Sequence, residues 1–236
     1  MYINNNRCHF NWLIENTFFQ KYIFVYMNIR FLFFATFTLS FILVACSESF
    51  TDSRDGQSYD VVKIGNLSWM AENLNYATEM SACPDGDSRN CKRLGQLYTW
   101  VDAKTVCPEG WRLPTNEDFA QVLAQSHDGK PGAVSNKVGA ALKSRDGWFK
   151  KGNGSDEFGF NALPAGYRSA VLKADDGAIT GGKFDGIGGY AYFWSATEDP
   201  ENPESNAYYL FLSFSSDAAS LNAFAKEDYR SVRCVR

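Results

Sequence analysis

The distribution of glycine and proline divides this chain of 236 residues into two physically different segments at Cys46. All 19 glycines and all 7 prolines follow Cys46, whereas nine of the 19 phenylalanines precede it. Glycine and proline provide the turns of a compact fold. A loop-rich domain can therefore form only after Cys46, and the earlier residues must serve another purpose.

A secretory signal is the predicted purpose of residues 27–45. The segment begins with a short basic stretch, continues as an uncharged apolar run from Phe31 and ends on a small residue before Cys46. The run is shorter than the roughly 20 residues that cross a bilayer core, which disfavours a permanent membrane helix. Because residues 1–26 precede a complete signal, we expect them to be a mis-called extension and translation to begin at Met27.

The motif Leu43-Val-Ala-Cys46 resembles the lipobox of bacterial lipoproteins, in which a diacylglycerol is attached to the cysteine thiol. Each buried lipid methylene contributes about 0.8 kcal/mol, so several acyl chains hold a domain on a membrane without a spanning helix. We therefore expect Cys46 to be lipidated, with the membrane as partner and the bacterial cell envelope, on its outer membrane, as location. A secreted protein with an incidental cysteine is the alternative.

The mature chain after Cys46 is acidic. It has 20 Lys and Arg residues against 26 Asp and Glu residues, a net charge of −6, which argues against a nucleic-acid partner. Its length fits one domain. Residues 46–58 are polar and predict a tether, and residues 59–236 predict the domain itself.

Four cysteines remain once Cys8 and Cys46 are set aside, an even number in an exported chain, which predicts two disulfides with three possible connectivities. Cys83 and Cys91 flank a short loop, so a local bridge between them is geometrically easy. Cys107 and Cys234 would then close a long loop. A zinc site made of four thiolates would need the close cysteine pairs that this sequence lacks.

The pattern of apolar residues predicts short helices followed by short strands. The pattern of residues 59–70 predicts a hairpin with its turn at Gly65-Asn66. Helices are expected over residues 97–106, after a Thr115 cap, and over residues 135–143. Strands are expected over residues 158–167, 190–195, 207–214 and 231–235. Strands around a few early helices with long loops predict an α+β domain.

Six segments of the domain resemble one family, the Fibrobacter succinogenes major paralogous domain. The segments are residues 62–75, 95–100, 107–115, 159–168, 193–198 and 231–236. The resemblance implies an exported, often lipid-anchored bacterial surface protein and assigns no molecular function. Gly110–Thr115 also resembles the formylglycine-generating enzymes, which implies a C-type-lectin-like fold with two or three short helices, short twisted antiparallel strands and long loops.

No catalytic residue, metal or cofactor is expected. The mature chain has one histidine, His127, in a glycine- and aspartate-rich stretch typical of a solvated loop. Acidic loops at Asp85–Asp87, Asp175–Asp176, Asp185 and Glu198–Glu204 offer oxygen ligands but match no EF-hand or lectin calcium motif. The formylglycine-generating reaction requires a cysteine pair near the C-terminal part of the domain, where Cys234 stands alone.

Aromatic residues in the second half of the domain are the candidate ligand contacts, because aromatic platforms stack on sugars or partner chains. The candidates are Trp148, Tyr167, Tyr190, Tyr192, Trp194 and Tyr208, half of which strand alternation should place in the core. The sequence thus favours a non-catalytic binding or adhesion module for carbohydrate or protein ligands. A divergent formylglycine-generating-like enzyme and a structural envelope protein without a dedicated ligand are the alternatives.

Overall fold

The computed structural model describes residues 48–125, 137–173 and 179–236, which form a group of short helices preceded and followed by short strands. Within these residues the α-helices are α1 (Ser88–Leu94), α2 (Trp100–Val106), α3 (Asn116–Leu123) and α4 (Val138–Leu142). The strands are β1 (Glu48–Thr51), β2 (Ser58–Ile64), β3 (Leu67–Met70), β4 (Leu97–Tyr98), β5 (Ala165–Arg168), β6 (Val171–Lys173), β7 (Ile179–Gly181), β8 (Phe184–Ile187), β9 (Tyr190–Glu198), β10 (Asn206–Ser213), β11 (Ala219–Ala225) and β12 (Arg230–Ser231). This mixture confirms the α+β class.

A five-stranded sheet in the order β11-β10-β9-β12-β4 is the centre of the domain. All neighbours are antiparallel except β12 and β9, which are parallel. Side chains alternate between the two faces of a strand. On one face Phe193, Leu210 and Leu212 are fully buried and pack with α3 residue Phe119. The other face carries the aromatic residues described below.

The N-terminal residues form a second sheet, β1-β2-β3. The predicted hairpin is confirmed, since β2 and β3 pair antiparallel on either side of Gly65 and Asn66. The predicted polar tether is wrong from Glu48 onward, because Glu48–Thr51 pairs with β2. The buried Asp52 carboxylate then binds the Arg54 guanidinium at 2.7 Å, which folds this short connection back on itself.

The C-terminal segment is joined to this second sheet and to the loop before α3. Ser68 donates its backbone N–H to the Arg236 carbonyl at 2.8 Å, and Arg112 and Val235 exchange backbone hydrogen bonds of 2.9 Å. A disulfide between Cys107 and Cys234, with Cα atoms 5.9 Å apart, fixes the same segment to the end of α2. The C-terminal segment is therefore adjacent to the N-terminal sheet and is linked covalently to the end of α2.

The second disulfide joins Cys83 to Cys91, with Cα atoms 5.0 Å apart, so the prediction of disulfide bonds is confirmed. The residues between these cysteines include the start of α1, a helix that was not predicted from the sequence. Asp87 caps this helix by accepting a hydrogen bond from the Arg89 N–H at 2.9 Å. Its buried face consists of Cys91 and Leu94.

The boundaries of three predicted elements are corrected. The helix expected from Leu97 begins only at Trp100, because Leu97 and Tyr98 pair with β12 as strand β4 and Thr99 caps the helix. The strand expected over residues 158–167 begins at Ala165, after Asn161 with a φ of 50° and a proline. The strand expected over residues 231–235 is reduced to Arg230–Ser231.

The cap of α3 agrees with its sequence signature. The Thr115 side chain accepts from the Asp118 N–H, and the Asp118 carboxylate accepts from the Thr115 N–H at 2.8 Å. This reciprocal capping box satisfies two donors that a helix start leaves open. Predictions for Cys46, His127 and Asp175–Asp176 lie outside the described residues.

Candidate functional site

Five half-buried aromatic side chains form a continuous patch on the face of the sheet opposite Phe193. The patch, called the aromatic surface below, consists of Tyr167, Tyr190, Tyr192, Tyr209 and Phe211. Alternation along β9 and β10 explains the arrangement, because Phe211 lies opposite Tyr192 and Ser213 lies opposite Tyr190 in the antiparallel register.

Each ring of the aromatic surface contacts at least one other ring of the surface. The Tyr192 ring centroid lies 5.3 Å from that of Tyr167, 5.6 Å from that of Tyr209 and 5.2 Å from that of Phe211. Tyr190 stacks on Phe211 with centroids 5.8 Å apart and planes inclined by 26°. Aromatic pairs at these distances contribute about 0.5–1.5 kcal/mol beyond burial, so the rings hold each other in fixed orientations.

Arg230 supports the aromatic surface from within the sheet. Its side chain is almost fully buried, and its guanidinium carbon lies 4.4 Å from the ring centroids of both Tyr209 and Trp194. Its Nη2 donates to Asp228 Oδ2 at 3.1 Å, and Asp228 Oδ1 accepts from the Ala170 N–H at 2.9 Å. Cation–π contacts of a desolvated arginine contribute about 2 kcal/mol, which favours one ring arrangement.

Tyr192 and Tyr209 of this surface are neutral at physiological pH. Burial raises the pKa of Tyr192 and that of Tyr209, and it outweighs the opposing effect of the Arg230 charge on both. Protonated phenols donate and accept hydrogen bonds. The surface therefore combines apolar ring area with neutral polar groups, a combination that suits the faces and hydroxyls of a sugar or the side chains of a protein.

The structure separates the predicted ligand contacts into three groups. Tyr167, Tyr190 and Tyr192 lie in the aromatic surface. Tyr208 is half-buried, and the described residues show no ring contact between it and that surface. Tyr209 and Phe211 also belong to the surface but were not predicted. The sequence carries a signal for them, because they are two residues apart on β10, as Tyr190 and Tyr192 are on β9, and the two strands pair.

The prediction of ligand contact for Trp148 and Trp194 is corrected by their burial. Trp194 is 0% exposed, lies under α2 in the core and donates its Nε1–H to the Tyr98 carbonyl at 2.8 Å. Trp148 is 6% exposed and donates its Nε1–H to the Ala162 carbonyl at 3.1 Å. Both indoles are core residues whose polar atom is already satisfied.

A cleft of about 360 Å³ lies apart from these rings, between β2 and the loop before β5. Carboxylates of Asp60, Glu72, Asp146 and Asp156 line it together with Arg145. Burial raises the pKa of Glu72, whose carboxylate accepts from the Asp60 N–H at 2.8 Å. No group of three or more His, Cys, Asp or Glu residues within the described part of the chain is placed to hold a metal ion.

Arg233 links three of the motif segments. It is 0% exposed and donates to the Met70 carbonyl at 3.0 Å, to the Phe160 carbonyl and to Asn73 Oδ1 at 2.6 Å. Burial lowers the pKa of Arg233 to about 9, which leaves it charged at neutral pH. Asn73 also donates to the Leu94 carbonyl at 2.7 Å, so this network has a structural role.

Comparison with known proteins gives one family match. A family model described as the Fibrobacter succinogenes major domain matches residues 62–236. No curated protein and no solved structure gives a significant match. Among the helices that the structure describes, none is long and apolar enough to cross a membrane.

Proposed function

The chain belongs to the Fibrobacter succinogenes major domain family, and from that premise we propose that it is a lipid-anchored protein of the bacterial cell envelope that binds carbohydrate or protein ligands without catalysis. The observation that carries the binding proposal is the aromatic surface. Its five contacting rings are half-buried rather than enclosed in the core, and Arg230 beneath them is fixed by Asp228. Large rigid aromatic rings supply contact area at little cost in conformational entropy.

The lipid anchor is proposed from the lipobox at Leu43–Cys46. Strand β1 begins at Glu48, so a single residue separates the proposed lipid-bearing Cys46 from the first strand. On this proposal the domain lies close to the bilayer rather than at the end of a long tether. The outer membrane as location belongs to the same proposal.

A C-type-lectin-like topology is also proposed. Its support is the joining of the N-terminal sheet to the C-terminal segment through Ser68 and Arg236, together with the long-range Cys107–Cys234 disulfide. Long loops then project from a small central sheet. An experimental structure compared with lectin-like domains tests this part.

Binding is tested with arrays of polysaccharides and of extracellular proteins, probed with the purified chain. We expect at least one glycan or protein to be retained, with retention abolished by unfolding the chain. Retention of none would favour a structural envelope protein.

Intact-mass measurement of chain extracted from membranes tests the anchor. A mass increase confined to a peptide that starts at Cys46 is expected, and an unmodified Cys46 thiol would refute it.

A further inference from the structure

Strand β11 forms one edge of the five-stranded sheet. It pairs with β10 over seven consecutive residues without a bulge. Its sequence, Ala219–Ala225, has no charged residue and no proline, and each of its residues is at least partly exposed. Natural edge strands are usually protected by charges, prolines, bulges or covering segments, because an open edge templates pairing with another strand.

The direction of the backbone groups on β11 follows from one hydrogen bond. Lys226 donates its N–H to the Ser205 carbonyl at 2.8 Å, in the same register as the β10–β11 pairs. Backbone groups alternate in direction along an antiparallel strand. Phe224, Asn222 and Ser220 therefore face β10 through their backbone, as Lys226 does. The residues between them direct their N–H and C=O groups to the open edge.

At both ends of the strand an outward carbonyl already accepts a hydrogen bond. At one end the Asp217 carbonyl accepts from Ala140, and at the other the Ala225 carbonyl accepts from Asp228. Within the described residues no partner is found for the outward groups of three residues, Ala219, Leu221 and Ala223. These three are spaced symmetrically about Leu221.

From this symmetry we infer that the partner of β11 is a second copy of the same strand. An antiparallel pair centred on Leu221 sets Ala219 opposite Ala223 of the other copy and Leu221 opposite itself. Each facing pair then exchanges two hydrogen bonds, so the outward N–H and C=O groups of Ala219, Leu221 and Ala223 are all satisfied. A two-fold axis that passes between the two Leu221 residues generates this interface, as in a closed dimer.

The side chains agree with this register. Residues 218–225 carry no charge, so no like charges face each other. Ser220 lies opposite Asn222 of the other copy. Phe224, which is 56% exposed in one copy, lies opposite the small Ala218 of the other. The pairing covers the apolar ring and places two polar side chains within hydrogen-bonding range.

The pairing has a consequence for the proposed function. A continuous ten-stranded sheet would present both aromatic surfaces on the same face, because the two-fold axis is perpendicular to the sheet. Two equal sites on one face allow bivalent attachment, in which the second contact is intramolecular. This consequence rests on the proposed function, whereas the pairing itself does not.

The pairing is tested by the mass of the full chain in detergent, measured by light scattering with the detergent contribution subtracted. We expect twice the chain mass for the natural sequence and one chain mass for Ala223→Pro. Proline removes an outward N–H without removing a bond to β10. Ala223→Val keeps that N–H and is expected to remain dimeric. A monomeric natural sequence at every soluble concentration, or a dimeric Ala223→Pro variant, overturns the inference.

A second readout does not depend on the proline variant folding. Ser220→Cys and Asn222→Cys are prepared separately and mixed under mild oxidation. The proposed register places these positions opposite each other, within disulfide range, only when the two variants pair. A covalent pair in the mixture and not in either variant alone is expected. Equal cross-linking in each variant alone, or none in the mixture, contradicts the register.

A monomer that instead binds an extended peptide along β11 would assign the edge to another protein. Ligand binding by the arrays is scored separately, so the two proposals fail independently.

Discussion

The two disulfides close loops of very different length, which makes their removal an informative comparison. Cys107–Cys234 spans 127 residues of sequence and Cys83–Cys91 spans 8. In the chain-entropy model a cross-link restricts the unfolded chain more as its loop grows. That model gives a stabilisation of about 5 kcal/mol for the long loop and about 2.5 kcal/mol for the short one at 25 °C.

We therefore expect Cys107→Ala with Cys234→Ala to lose about twice the free energy of unfolding lost by Cys83→Ala with Cys91→Ala. The short-loop variant is a matched control, because each pair includes one buried cysteine, Cys234 or Cys91, whose truncation leaves a similar small void. The long-loop variant should also show the larger m-value, since its unfolded state expands more.

The assay is equilibrium unfolding in urea, followed by tryptophan fluorescence, with the natural chain kept oxidised. In melting temperature a loss of about 5 kcal/mol corresponds to about 10–20 °C for a domain of this size. Equal losses for the two variants, or a larger loss for the short loop, would refute the reasoning from loop length.

Three further outcomes are expected. Burial raises the pKa of Asp118, but hydrogen bonds from Arg112 and Thr115 outweigh this and hold that pKa below its usual value. The stabilisation is therefore present above the unfolded-state pKa and lost as pH falls through the folded-state value. Asp118→Asn should lower the free energy of unfolding by about 1 kcal/mol at neutral pH, with a difference that shrinks below about pH 4 in urea titrations. If the difference in free energy of unfolding between Asp118→Asn and the natural chain stayed constant down to pH 2, the proposed hydrogen bonds of the Asp118 carboxylate would be contradicted. Gly95→Ala should lose about 3 kcal/mol by the same assay, because φ is +73° and the new Cβ would lie 2.6 Å from Asn73 Cβ. A loss below about 0.5 kcal/mol would show that this packing is wrong. Arg233→Met should destabilise the domain by about 3–5 kcal/mol in urea unfolding, since it leaves buried acceptors without their donor. A neutral effect would contradict the structural role of this arginine.

Local sequence signals accounted for much of the fold. The Gly-Asn turn placed the first hairpin, Thr115 with Asp118 placed the start of α3, and cysteine spacing favoured the observed disulfides. One boundary error was avoidable. Thr99 with Asp102 three residues later has the form of a helix cap, and this signal excludes Leu97 from the helix.

The remaining features depend on contacts between distant segments. The burial of Trp194 could not be read from β9, because it results from the packing of α2 over that end of the sheet. Arg233 looks like a surface residue in sequence, yet its acceptors lie at Met70 and Phe160. The strand at Glu48 forms because β2 provides its partner, which a polar composition does not reveal.

The most direct test of the central claim is whether ligand affinity depends on the aromatic surface. A glycan or protein retained on the arrays is titrated against Tyr192→Ala and against Tyr208→Ala, with circular dichroism to verify folding. Tyr192 contacts the other four rings of the aromatic surface, whereas Tyr208 lies apart from them. Loss of a central aromatic contact costs about 2 kcal/mol, so we expect about a 30-fold rise in Kd for Tyr192→Ala and little change for Tyr208→Ala. An unchanged Kd for a folded Tyr192→Ala, or a larger rise for Tyr208→Ala, would contradict the account.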